Sequence, residues 1–151
     1  MIRLATFHDL QAVAELFDQY RQFYEQTADL ALANTFISAR LNNKDSVILV
    51  AAGGGACGTQ NLIGFCQIYP SFCSVAAAKI GVLYDLYVDE SARKTGAGRA
   101  LILAAHEYAA SNNMTRLDLT TAKDNLNAQA LYESLGWVRD EVFYVYNKDI
   151  K

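Results

Sequence analysis

Seven consecutive residues, Arg93-Lys94-Thr95-Gly96-Ala97-Gly98-Arg99, combine three positive charges with two closely spaced glycines. Glycine has no Cβ, so such a stretch can turn tightly and let a ligand approach the backbone. A helix starting directly after the turn would add its unpaired first-turn amides and the positive end of its dipole. Amides, dipole and cationic side chains together favour a phosphate group. The expected ligand is a pyrophosphate-bearing cofactor.

For that corner to work, one element must deliver the chain to it and another must leave from it. Ile80 to Val88 is an apolar run with the character of a strand. From Ala97 the apolar residues Leu101, Ala104, Ala105 and Tyr108 return at helical spacing. The corner therefore reads as strand, glycine turn, helix. Its positive charge stands against a formal net charge of −3, which argues against broad nucleic-acid binding because that requires a basic footprint.

The remaining elements follow from pattern. Ile2 to Ala5 is a short strand, and Thr6-Phe7-His8-Asp9 has the S/T-x-x-D form of a helix start. Leu10, Val13, Ala14, Phe17 and Tyr20 form one apolar face of a helix ending near Tyr24, and Asp29 to Leu41 reads as a second helix. Ser46 to Ala52 and Leu62 to Tyr69 are strands, with Gly53 to Gly58 as a mobile hairpin loop between them. That loop lacks the Lys-Ser/Thr ending of a P-loop. Pro70 is expected to stop the third strand, leaving Ser71 to Ala78 as a longer connection. After the central helix come a strand at Leu117 to Leu119, a helix from Asn125 to Leu135 closed by Gly136, and a final strand from Val138 to Tyr146.

The order βααβββαβαβ describes one α/β domain spanning residues 1–151, a mixed sheet with helices packed on it. No apolar run reaches the roughly 20 residues a membrane span needs. No charged-then-apolar leader precedes the first strand, and the three cysteines, Cys57, Cys66 and Cys73, have no metal-ligand spacing. Reduced thiols in the cytoplasm are the expectation. His8 and His106 have no second histidine at ligand spacing, so no metal site is expected. Cys66 and Cys73 read as small core residues. A Rossmann dinucleotide site fails because Leu101 occupies the position of the third glycine and the turn follows the fourth strand rather than the first.

Arg93-Lys94-Thr95-Gly96-Ala97-Gly98 resembles the Arg/Gln-x-x-Gly-x-Gly/Ala pyrophosphate loop of the GNAT superfamily of N-acetyltransferases. About 30 residues on, Asn125-Leu126-Asn127-Ala128-Gln129-Ala130-Leu131-Tyr132-Glu133-Ser134-Leu135-Gly136-Trp137 resembles that superfamily's second signature, Asn…Ala…Leu-Tyr-x-x-x-Gly-aromatic. The resemblance extends over essentially the whole chain. It implies a GNAT-type fold: a mostly antiparallel sheet with a splayed parallel pair, flanked by helices. Leu83-Tyr84-Asp85-Leu86-Tyr87-Val88, after an aromatic-Pro-Ser-Phe segment, is similar to the group containing diamine and polyamine N-acetyltransferases. Where those enzymes carry Glu-Asp, this chain carries Tyr84-Asp85.

What the resemblance implies is acetyl transfer from acetyl-CoA to a primary amine, with a small cationic acceptor such as a polyamine, diamine or amino acid. Leu86, Tyr87 and Val88 would pair through their backbone with the pantetheine arm. Lys94, Thr95, Gly96, Ala97, Gly98 and Arg99 would hold the pyrophosphate, Arg93 adding charge, and Asn125 would contact the pantetheine. Tyr132 is the general-acid candidate. For the base, Asp85 leads and Tyr84 and Glu25 stand as others, because a primary ammonium titrates near 10 and must be deprotonated. Adjacent strand residues point to opposite faces, so only one of Tyr84 and Asp85 is expected to face the cleft. Tyr24 and Glu25 are candidates for the amine pocket. A protein or peptide amine is an alternative acceptor, and a non-catalytic acyl-CoA-binding module is the competing class. The last strand is apolar on both faces, and related enzymes form homodimers, so it is expected to pack on a second subunit.

Overall fold

The computed structural model describes residues 1–53 and 61–150, which fall into two units, Met1–Leu119 and a second beginning at Thr120. The first unit holds β1 (Ile2–Leu4), α1 (Leu10–Phe23), α2 (Leu30–Asn43), β2 (Val47–Ala52), β3 (Leu62–Cys73), β4 (Ala78–Val88), α3 (Ala97–Ser111) and β5 (Leu117–Asp118). The five strands form one sheet in sequence order, antiparallel except for the parallel pair β4 and β5. The second unit holds α4 (Leu126–Ser134). The element order is the mixed α/β arrangement expected of the sequence, less its last strand.

Strand alternation explains the layers. Ile48, Val50 and Phe65 point to one face of the sheet, where Val13, Leu16 and Ile37 of α1 and α2 cover them. Leu49, Ala51, Cys66, Ile68 and Leu83 point to the other, beneath Leu101 and Ala105 of α3. Each fully buried Phe, Ile or Leu stabilises such a core by about 1.5–3 kcal/mol. The α1 face carries the polar exceptions.

The start of α1 is held as its sequence predicts. The Asp9 carboxylate accepts from the Thr6 amide at 2.8 Å and from both guanidinium nitrogens of Arg3 at 2.7 Å, which bring its pKa down to about 2. Asp18 fastens the other end. Its carboxylate accepts from Arg21, from Gln22 and from the Asp29 amide at 2.9 Å, so the chain leaving α1 is tied back before α2 begins.

Three expectations are corrected. β3 runs through Pro70 to Cys73, because β2 stops pairing at Ile68 and the side of the ring that lacks an N–H faces no strand. The proposed Ser71 to Ala78 connection is instead strand and a four-residue hairpin turn, residues 74–77, with Ala77 at φ 49°. Val138 to Tyr146 forms no strand. The Asp140 carboxylate draws the Val142 and Phe143 amides into a local turn at 2.7 and 3.1 Å, and a strand requires a neighbouring edge that this segment does not find within the described chain. Of the expected glycine loop, residues 54–58 lie outside the described residues.

Candidate active site

β4 is the element from which the site is built. Its ladder to β5 covers only Gly81↔Leu117 and Val82↔Asp118, while its ladder to β3 continues to Val88. From Leu83 onward, β4 therefore has a strand on one edge and no ladder to β5 on the other. Leu86, Tyr87 and Val88, which the sequence places at the splay, lie in this part of β4 beyond the β5 ladder.

The β3–β4 register shifts in the same region. Gln67 opposes Asp85 but Ile68 opposes Leu83, so Tyr84 is an extra residue bulged out of β4. This overturns the expectation that only one of Tyr84 and Asp85 can face the cleft. The bulge interrupts strict alternation, and both residues line a cavity of about 330 Å³ between α1, α2 and the sheet. Tyr84 is exposed and packs edge-on against Tyr69 at 5.7 Å, whereas Asp85 is only 4% exposed.

Asp85 is ionisable yet nearly enclosed, and its partners are side chains rather than the backbone amides a merely anchoring charge would seek. Gln67 Nε2 donates to Asp85 Oδ2 at 2.6 Å, and Ser46 Oγ donates to Gln67 Oε1 at 2.8 Å. The Tyr20 hydroxyl donates to the Tyr84 carbonyl at 3.3 Å and also faces the carboxylate. Burial raises the pKa of Asp85, and the hydrogen bonds from Gln67 and Tyr20 only partly oppose it. Tyr20 is pushed up as well, first by burial and then by the Asp85 charge, so its hydroxyl keeps its proton. Burial drives Tyr69 up to about 12. The result is a basic carboxylate inside an aromatic wall.

Sequence reasoning missed Gln67, Ser46 and Tyr69, and it left Tyr20 as core. The signal for Gln67 was present: it is the polar interruption of the apolar run from Leu62 to Tyr69. A fully buried Gln must find partners, so such an interruption marks a polar site. Tyr24 and Glu25 fall outside the residues lining the cavity. Tyr24 packs edge-on against Tyr20 at 5.1 Å, and Glu25 is exposed in the turn at φ 61°. Cys66 is buried with its thiol pushed up to about 12, which makes it a core residue rather than a nucleophile.

The glycine corner has the geometry its sequence requires. After the short turn Glu90–Ala92, Lys94 takes φ 62° and Gly96 φ 89°, and α3 begins at Ala97. A Cβ at Gly96 would meet nothing within 4 Å, so the glycine is needed for its left-handed backbone, not for space. The Ala97 and Gly98 amides open the helix without intrahelical acceptors. Thr95 Oγ1 donates to the Ala92 carbonyl at 2.7 Å, while Lys94 and Arg99 are exposed. Arg93 turns back instead. Its Nε donates to the Val88 carbonyl at 3.2 Å, and its guanidinium lies over Tyr87 at 5.8 Å, so it braces the end of β4.

In the second unit, Asn125 Oδ1 caps α4 by accepting from the Ala128 amide at 3.2 Å. Tyr132 is 9% exposed, its ring 6.0 Å from Trp137. The Tyr132 carbonyl accepts from the Leu135 and Trp137 amides, and Gly136 closes the helix at φ 83°. Among the described residues no group of three acidic, His or Cys side chains could hold a metal, and no helix is long and apolar enough to cross a membrane.

A strand edge left without a ladder ahead of a glycine-capped helix start, with a buried carboxylate in a neighbouring cavity, suits a group-transfer enzyme with a phosphate-bearing donor. The particular class comes from comparison. Residues 10–137 match the Acetyltransferase (GNAT) family, and the chain belongs to it. It is 45% identical over 145 residues to an uncharacterised N-acetyltransferase, YhfO, of Bacillus subtilis (strain 168), covering 96% of this chain and 94% of that protein. It is 27% identical over 139 residues to the D-amino-acid N-acetyltransferase HPA3 of Saccharomyces cerevisiae, covering 92% and 85%. A crystal structure of a probable acetyltransferase superposes with a TM-score of 0.91 at 36% identity, over 100% of this chain and 98% of that one. As a GNAT member the chain is an acetyl-CoA-dependent N-acetyltransferase. The first amides of α3, without intrahelical acceptors after the Gly96 turn, and the β4 edge beyond the β5 ladder have the chemistry that a pyrophosphate and an amide-bearing arm would need.

Gly96→Val places a β-branched residue in a left-handed conformation that costs about 1–3 kcal/mol. Its expected effect is a rise of about tenfold or more in KM for acetyl-CoA, the size of one lost charge-assisted hydrogen bond. Initial rates at varied acetyl-CoA check it. An unchanged KM would remove the corner from donor binding.

Proposed function

We propose that this enzyme acetylates the nitrogen of a small primary amine by direct attack, with Asp85 as general base and Tyr132 as general acid, within a single domain. The observation that carries the reading is the buried carboxylate of Asp85 lining a cavity, on the part of β4 that has no ladder to β5. Acetyl-CoA supplies the acetyl group as a thioester. Asp85 receives the ammonium and takes its proton, a task that a carboxylate of raised pKa performs better than an ordinary one. The backbone of Leu86, Tyr87 and Val88 holds the pantetheine and polarises the carbonyl. Lys94 to Arg99 hold the pyrophosphate through amides, charge and the helix start, and Arg93 keeps the strand end in place. Asn125 would contact the pantetheine, and the Tyr132 hydroxyl would give a proton to the departing sulfur.

The polyamine and diamine acceptors suggested by residues 83–88 need a second anionic subsite. The cavity offers one carboxylate and, from Arg21, one positive charge. An amino acid finds a partner for each of its charges, and the likeness to a D-amino-acid N-acetyltransferase supports that choice. Free-thiol release with acetyl-CoA and a panel of small amines tests the reading. Amine-dependent release is the expected result. Tight CoA binding with no release from any small amine would leave the binding module, and release only with a peptide amine would move the acceptor class.

A homodimer is proposed with it, on a specific observation. Val142, Phe143, Tyr144, Val145 and Tyr146 are 74–89% exposed, an apolar run that a lone soluble chain seldom leaves uncovered. A solution mass of twice 16.6 kDa at micromolar concentration is expected, reverting to one chain mass on truncation after Arg139. A monomeric mass for the full chain would defeat it.

A further inference from the structure

We infer that the acceptor carries its amine on a flat, apolar body and bears a single positive charge, the ammonium meeting Asp85 and the body lying against the aromatic wall of the cavity. The inference rests on the reading above that Asp85 marks the acceptor site.

The wall is aromatic on every element that builds it. α1 contributes Phe17 and Tyr20, α2 contributes Phe36, β3 contributes Tyr69, and β4 contributes Tyr84. Phe17 and Phe36 stack on each other at 5.2 Å with their planes within 7°, which fixes the orientation of the rings on that side. Tyr69 and Tyr84 meet edge-on at 84°, so the second wall presents a ring edge beside a ring face. Aromatic pairs prefer offset-stacked and edge-to-face contacts, and both surfaces can continue such contacts to a flat guest. At the mouth, Leu32 is 50% exposed and Tyr84 67% exposed, apolar surface that a ligand body would cover.

Charge narrows the guest further. Asp85 is the sole carboxylate among the residues lining the cavity, and Gln67 already donates to one of its oxygens. One ammonium completes it. A second or third ammonium, as in putrescine or spermidine, would be desolvated against rings with no anion to meet it, and it would share the wall with the Arg21 guanidinium. Arg21 is bonded to Asp18 at 3.2 Å, which fixes its guanidinium in the wall and offsets part of its charge without leaving a free carboxylate for a second ammonium. A volume of about 330 Å³ lies at the small end of ligand sites, which suits one ring and a short arm.

The amine with and without an α-carboxylate shares this chemistry, so the test carries both. Thiol release with acetyl-CoA is measured for phenethylamine, D- and L-phenylalanine, n-propylamine, putrescine and spermidine. At least one aromatic amine is expected to exceed both polyamines in kcat/KM by tenfold or more. A preference for phenylalanine assigns Arg21 to the carboxylate, and a preference for phenethylamine leaves Arg21 as the barrier to a second cation. Both results support the inference. Polyamines equal to or better than every aromatic amine would overturn it while leaving amine acetylation intact, and no release from any amine would overturn both. A second measurement separates packing from folding. Tyr84→Ala, at an exposed position, is expected to raise KM about three- to tenfold for the aromatic amine, the worth of one aromatic contact, and to raise it by a smaller factor for propylamine, which has no ring to lose that contact. An equal rise for both amines would count against a ring contact.

Discussion

Asp85→Asn should make this enzyme slower and more stable at once. The variant keeps the volume of the side chain and an oxygen for the Gln67 amide, which donates at 2.6 Å. It loses the group that takes the amine proton, and a fall in kcat of about 10²–10⁴-fold is expected. Stability should move the other way. Burial raises the Asp85 pKa above its unfolded value, so the folded protein binds this proton more tightly than the unfolded chain. The stability contributed by the protonated carboxyl is therefore complete below about pH 4 and is lost as pH rises through the raised native pKa. Asparagine does not titrate there. The melting temperature of the variant should exceed that of the parent, by an amount that grows with pH across this window and then levels off. Each 1 kcal/mol relieved is worth about 2–4 °C in a chain of this size. The rate profile supplies the matching signature: the parent loses kcat as pH falls through the Asp85 pKa, and that limb disappears in the variant. A variant with parental kcat would remove Asp85 from the base role.

How far the sequence carried the fold depends on where each element found its partners. α1 was legible because its signals are local. Thr6 and Asp9 meet each other three residues apart, and Val13, Ala14 and Phe17 repeat on one face. The glycine corner was legible for the same reason, since a left-handed Gly96 and a helix start at Ala97 are properties of a few consecutive residues. The continuation of β3 through Pro70 was not, because whether a missing N–H matters depends on where β2 begins, at Val47 opposite Ile68. The Tyr84 bulge was hidden for a related reason. It exists only as a mismatch of register between two strands, so no pattern within β4 could show that Tyr84 and Asp85 share a cavity. The final segment reads as a strand by alternation, but alternation states only that two faces are apolar. A partner edge is needed as well, and Asp140 spends the amides of Val142 and Phe143 locally.

Tyr132→Phe isolates the other proton. Several contacts around Tyr132 are made without its hydroxyl: Asn125 caps α4, the Tyr132 carbonyl takes the Leu135 and Trp137 amides, and Trp137 lies 6.0 Å from the ring. Phenylalanine keeps all of these, so α4 should fold unchanged even though nine residues are few for a helix to hold alone. Affinity for acetyl-CoA is expected to stay within about twofold by titration calorimetry, and kcat to fall about 10²-fold, the lower range for loss of a general acid. That split matters, since a hydroxyl used equally in binding and reaction would change KM and leave kcat alone. A structural role can also lower kcat, so the assignment needs a probe of the proton itself. An acetyl thioester of an acidic aromatic thiol leaves with little protonation, and with this donor the gap between parent and variant should narrow to a few fold. A gap of the same size with both donors would mean that Tyr132 orients the reactants without protonating the sulfur, and the acid would then have to be sought in solvent.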